Sequence, residues 1–176
     1  MMKSKRRINA LAFLFFALIY SIFMGSAHAQ LRPMIYADVT VDAPISDVWG
    51  DWTTETGVTS FFAKAAEIEM KPSGAYRLYF APSAPKGSRG SDSGEILGWQ
   101  DEKMLNISWA MPPYMPEIRP HLTVLQLEFV ELESNRTQVR LFHTGFGRSE
   151  QWEEGRSYFE KTWPAVLALY KTEAEK

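Results

Sequence analysis

The chain has 176 residues with 19 Lys+Arg, 21 Asp+Glu and no cysteine. That length suits one domain, and 45% hydrophobic with 23% charged residues fits neither a disordered tail nor a coiled coil. The lack of cysteine excludes a disulfide-stapled scaffold, a zinc ribbon, Fe–S ligation and a thiol nucleophile.

The N-terminus reads as an export signal. Lys3, Lys5, Arg6 and Arg7 form a basic start, and Ile8 to Met24 then carries no charge. Ala27-His28-Ala29 offers the small-x-small pattern of signal peptidase, so cleavage is expected between Ala29 and Gln30. The alternative is an uncleaved anchor, for which the apolar run is slightly short of the ~20 residues that span a bilayer. Residues 1–29 are therefore expected as a signal peptide and 30–176 as a single domain. That places the domain outside the cytoplasm, in the periplasm, or on the inner membrane facing it if the signal is retained. The mature chain keeps 15 cations against 21 acids, a net charge of −6. Such a balance disfavours nucleic acid, and it disfavours a membrane partner unless the signal segment stays in place.

In chain order, Ile35, Ala37, Val39 and Val41 alternate with polar residues and predict a half-buried strand. Ala43-Pro44 ends it, and Ile45-Ser46-Asp47 opens a helix with Val48 and Trp52 on one face. Thr53-Thr54-Glu55 reads as the cap of a second short helix running to Phe61-Phe62. Strands follow at Ala66–Lys71 and Tyr76–Phe80 around the turn Pro72-Ser73-Gly74. Residues 81–94 have no periodicity and read as a mobile loop. Further strands are expected at 95–100 and 103–110. Met111–Pro120 holds four prolines, which bars both helix and central strand. A long strand is expected over His121–Leu132 and its partner over Thr137–Thr144. From Ser149 the pattern is helical, with Trp152, Phe159, Trp163, Val166, Leu167 and Tyr170 on one face and Pro164 as an expected kink. The fold class is α+β: a curved antiparallel sheet of about six to seven strands, two short helices after the first strand, and a long C-terminal helix packed on the sheet.

Three segments carry a family resemblance: VDAPISDVWGDWTTETGVTSFF (41–62), GEILGWQDEKMLNISW (94–109) and TQVRLFHTGFGRSEQWEEGRSYFEKTWPAVLALY (137–170). They resemble the START-like (SRPBCC, helix-grip) superfamily, in the branch related to the activator of heat-shock protein 90 ATPase. The resemblance implies the helix-grip fold. It also implies a choice among ligand-binding modules, polyketide cyclase-like enzymes and co-chaperone domains, which one scaffold supports alike. The export signal and the length of the Pro-rich segment depart from the usual pattern.

In such a fold the space between sheet and C-terminal helix is either packed or hollow. Candidate lining residues are Trp52, Phe62, Tyr76, Phe80, Trp99, Trp109, Phe129, Leu141, His143, Tyr158 and Trp163. Each has a plain alternative as core, yet many Trp and Tyr together suit an amphipathic cavity. His121 and His143 are the mature chain's histidines; both align with apolar neighbours and are weak candidates for a general base. No metal ligand set, Walker motif or nucleophile elbow occurs, so no cofactor and no metal are expected. The expected function is an exported, non-catalytic module that binds a hydrophobic or amphipathic small molecule. One alternative is a cyclase- or hydrolase-like enzyme with a pocket histidine. The other is a co-chaperone-like module with a protein partner, which the export signal disfavours.

Overall fold

The alternation at Ile35–Val41 forms strand β1, with Ile35, Ala37 and Val41 buried and Tyr36 and Asp38 exposed. The computed structural model describes residues 34–176; the expected signal peptide and its cleavage point at Ala29 and Gln30 lie outside them. Helix α1 (Ile45–Thr53) starts at Pro44, whose carbonyl accepts from the amides of Asp47 and Val48. Val48 and Trp52, four residues apart, are its buried apolar side chains, with Thr53 buried beside them. Thr54 ends α1 and caps α2 (Glu55–Phe61), its hydroxyl accepting from the Gly57 amide at 3.0 Å.

The remaining strands are β2 (Ala65–Ile68), β3 (Tyr76–Tyr79), β4 (Gly90–Ser91), β5 (Ile96–Gln100), β6 (Met104–Trp109), β7 (Thr123–Glu133) and β8 (Arg136–Thr144). All pairings are antiparallel: one five-stranded sheet in the order β1-β8-β7-β6-β5 and one three-stranded sheet in the order β2-β3-β4. A lone bridge between Ala75 and Glu95 joins them where the chain bends. Helix α3 (Glu150–Ala174) carries Phe159, Trp163, Val166, Leu167 and Tyr170 on its buried face and continues unbroken through Pro164. The architecture is the helix-grip expected from the sequence.

Two segments differ from the reading of the sequence. The stretch 81–94 is not structureless: Gly90 and Ser91 pair with Tyr79 and Leu78 as β4. A two-residue strand of Gly and Ser leaves no periodic trace, so alternation could not reveal it. The strand expected from His121 begins at Thr123, because the His121 amide bonds the Ile118 carbonyl at 3.0 Å and so belongs to the preceding turn. His121 is exposed, not inward-facing.

The Pro-rich segment 111–120 is anchored despite having no regular structure. Met111, Met115 and Ile118 are buried. The side-chain carbonyl of Gln151, in the first turn of α3, accepts from the amides of Glu117 (2.8 Å) and Ile118 (3.1 Å). Gly155 makes the seat: a Cβ there would sit 3.0 Å from Ile118 Cδ1 and 3.4 Å from Met111 Sδ. This docking sets one wall of the site.

Candidate functional site

A cleft of about 300 Å³ opens between α3, the ends of β4 and β6, and the Pro-rich segment. Its floor is aromatic. The rings of Phe62 and Trp109 lie parallel within 2° at 6.0 Å, and Trp163 meets Trp109 edge-on at 5.2 Å. Phe159 stacks on Trp163 at 5.3 Å. Phe80, Tyr114, Tyr158 and Leu169 form an exposed rim, with Tyr114 set edge-on to Tyr158 at 6.3 Å. Val166, Ala110 and Met111 fill in the walls.

Polar groups in the lining are mostly spoken for. Ser91 Oγ accepts from the Ala110 amide at 3.2 Å, and the Thr162 hydroxyl donates to the Tyr158 carbonyl at 2.8 Å. Arg119 is the charged residue of the lining. Its guanidinium donates to the carbonyls of Met111, Gly87 (3.0 Å) and Gly90 (2.7 Å) and to the carboxylate of Asp92. Burial pushes the Arg119 guanidinium below its ordinary range, while Asp92 pulls it back. Asp92, with a side chain 2% exposed, also accepts from the Gly87 amide at 2.6 Å. The pair joins the 81–94 and 111–120 segments at the cleft, and Arg89 Nε lies 3.8 Å from the same carboxylate.

His143 lies behind this wall, fully buried. Trp163 Nε1 can only donate, and it points to His143 Nδ1 at 3.0 Å. The imidazole proton is therefore on Nε2, which donates to Thr123 Oγ1 at 2.7 Å. Thr123 passes its own hydrogen to the Trp109 carbonyl at 3.0 Å. Phe146 and Phe159 flank the ring at 4.5 and 4.7 Å. Burial drives the imidazole pKa down to about 3. With both nitrogens committed and no face on the cleft, His143 holds the wall in place; a general base needs a free lone pair in reach of the substrate.

Of the residues singled out in the sequence, Phe62, Phe80, Trp109, Tyr158 and Trp163 line the cleft. Others lie elsewhere. Trp52 is packed between Phe61 and Tyr170, each about 5 Å away. Tyr76 is buried with its hydroxyl donating to the Trp52 carbonyl at 2.8 Å, and burial raises its pKa. Phe129 is buried beneath Trp49, Leu141 is in the core, and Trp99 is half-buried on β5. His121 sits in its turn, 6.2 Å from the Trp152 ring. The sequence reading missed Met111, Tyr114, Arg119, Phe159 and Leu169 as lining residues. Met111, Met115 and Ile118 at i, i+4 and i+7 were the available sign that the Pro-rich segment faces inward. Among the described residues no group of three His, Cys, Asp or Glu stands together to hold a metal ion.

The fold is similar to several solved structures. Protein MLL2253 from Mesorhizobium loti is 14% identical with a TM-score of 0.64, over 80% of this chain and 95% of that one. An AHSA1-like protein from Rhizobium etli is 18% identical with a TM-score of 0.56, over 81% and 82%. An HSP90 activator from Plasmodium falciparum is 18% identical with a TM-score of 0.57, over 76% and 91%. At these identities the likeness speaks for the fold alone. No curated protein matches the sequence. The family model described as Activator of Hsp90 ATPase homolog 1-like protein matches residues 42–173, and the chain belongs to that family, within the START-like superfamily.

Proposed function

We propose that this protein is an exported, non-catalytic module that holds an uncharged hydrophobic or weakly amphipathic small molecule in the cleft between the sheet and α3. The observation that carries this reading is the cleft itself: about 300 Å³ of space lined by Phe62, Trp109, Phe159 and Trp163. That volume is at the small end of ligand pockets, which are typically apolar with a few fixed polar groups. A ligand burying roughly 200 Å² of apolar surface there gains about 5 kcal/mol before the cost of immobilising it. Arg119, already committed to three carbonyls and Asp92, favours an uncharged body over an ionised one, since a buried ion needs a partner with capacity to spare.

The sealed environment of His143 speaks against the enzyme reading, because the imidazole has neither access nor a titration near neutral pH. The co-chaperone-like reading draws on the name of the Plasmodium neighbour, an HSP90 activator. It sits poorly with the export signal read at residues 1–29.

Native mass spectrometry of the protein recovered from the cell envelope tests the proposal. A bound mass of a few hundred daltons that disappears on denaturation supports it, and a denatured mass beginning at Gln30 supports export with cleavage. An empty protein that also fails to take up apolar fluorescent probes would overturn it.

A further inference from the structure

The outer face of the five-stranded sheet is uneven along its length. Even-numbered residues of β1, β7 and β8 point away from the core. At most positions they are polar: Asp38, Arg140 and Glu128 lie side by side across three strands, with Gln138 beside them. One end differs. Tyr36 pairs with Phe142 on β8, their rings 5.2 Å apart. Val124, paired with Thr144, lies diagonally next to Phe142 on β7. Met34 and Leu122 stand just outside this row. Met34 and Tyr36 are each 49% exposed, Leu122 44% and Val124 36%. This is the end at which Ile35 pairs with His143 and Thr123 with Trp109, so it also carries the sheet-side wall of the cleft.

We infer that this end of the sheet seats on a lipid bilayer, with Met34, Tyr36, Leu122 and Val124 entering the interfacial layer. Three features favour lipid over a protein partner. The apolar side chains occupy two adjacent register positions shared with Gln126 and Thr144, with charged side chains behind them, which suits shallow insertion and not a flat contact. A stable protein interface needs about 1,200 Å² or more of buried surface, far beyond these few side chains. The exposed aromatic is a tyrosine, the kind of ring that rests at the headgroup level. Finally, the chain arrives at this row from the uncharged stretch Ile8–Met24. Where that stretch stays in the membrane, the nine residues Gly25–Pro33 allow at most about 30 Å of chain between it and Met34. The insertion is hydrophobic. The chain has no Lys/Arg run after Arg7, so anionic lipid is not required. The inference does not depend on whether a small molecule occupies the cleft.

The absence of cysteine makes the test direct. Single variants Y36C and V124C at the row, and L132C at the opposite end of β7, are made in the full chain and labelled with a polarity-sensitive fluorophore. Leu132 is 48% exposed, so all three sites are on the surface and folding is checked by circular dichroism. The proteins are reconstituted with phosphatidylcholine vesicles containing a doxyl-labelled lipid. A blue shift and loss of emission at positions 36 and 124, with position 132 unchanged, is the expected result. Unchanged emission at all three positions would overturn the inference, and so would equal quenching at all three, which indicates adsorption without orientation. Because the readout is position on the bilayer, an empty cleft leaves this result untouched, and a lipid-free result leaves small-molecule binding untouched.

Discussion

Trp163 Nε1 donates to His143 Nδ1 at 3.0 Å, and this bond sets the chemistry of the whole wall between core and cleft. It fixes the imidazole as the neutral Nε2–H tautomer and so fixes the direction of the chain through Thr123 to the Trp109 carbonyl. Two cleft-lining tryptophans are thereby tied through one buried histidine.

A pH dependence follows from that burial. The imidazole pKa is held near 3 in the folded protein against about 6.5 in the unfolded chain. Between those values the unfolded state binds the extra proton, so this group's contribution is complete above pH 6.5 and falls as the pH drops towards 3. The expected slope approaches 1.4 kcal/mol per pH unit inside the window. Urea unfolding at several pH values measures it, and H143Q should flatten the slope while lowering stability near neutral pH. A wild-type profile flat between pH 6 and 4 would contradict the buried neutral imidazole.

Replacing Trp163 by Phe keeps a ring in the wall and removes the donor. His143 Nδ1 then becomes a buried acceptor without a partner, at an expected cost of about 1–3 kcal/mol. Adding H143Q to W163F should cost less than the two separate losses together, because the pair acts as a unit. Chemical denaturation of the four proteins of this cycle reads the coupling.

The Asp92–Arg119 pair should show the asymmetry of a buried ion pair. R119M leaves the enclosed Asp92 carboxylate with only the more distant Arg89 Nε, 3.8 Å away, and is expected to destabilise by roughly 3 kcal/mol. D92N/R119M should recover much of that loss, since the neutral side chain then at position 92 keeps a carbonyl oxygen to accept from the Gly87 amide. Thermal melts of the single and double variants decide it; equal melting temperatures for R119M and wild type would show that the pair is dispensable.

Filling the cleft separates binding from folding. T162W places an indole in the space while giving up one local hydroxyl-to-carbonyl bond. The expected result is loss of apolar probe binding by tenfold or more, with a melting temperature within a few degrees of wild type. G155V acts from the other side. Its side chain meets Ile118 and Met111, and overpacking of this kind costs about 1–3 kcal/mol. Faster hydrogen exchange confined to the 111–120 segment would identify that segment as what moved.

The sequence was most informative where a periodic pattern faced a wide core. The alternation of β1 and the aromatic stripe from Phe159 to Tyr170 in α3 placed two sides of the molecule, and Thr54 marked the break between α1 and α2. It was least informative where geometry comes from a few specific bonds. Nothing local marks Gly90-Ser91 as a strand, and the bonds of Gln151 to Glu117 and Ile118 cross more than thirty positions of chain. The two histidines show the limit most clearly. Both follow a polar–apolar alternation, yet the turn at Ile118 takes His121 out of the ladder and the indole of Trp163 closes His143 in. Five of the aromatic residues singled out meet at the cleft, whereas Trp52, Tyr76, Trp99 and Phe129 serve the core. Side-chain type alone does not distinguish those two destinations.

The joining of residues 81–94 to 111–120 through Asp92 and Arg119 also bears on how fast anything could come and go. Two loops flanking a mouth would ordinarily fluctuate separately, each opening for nanoseconds to microseconds. Here neither can swing without breaking a charge pair and the two carbonyl bonds to Gly87 and Gly90, so the rim moves as a single plate. Exchange on that side waits for one collective event, and on the other side Tyr114 is held near Tyr158 by the docking of its segment on Gln151.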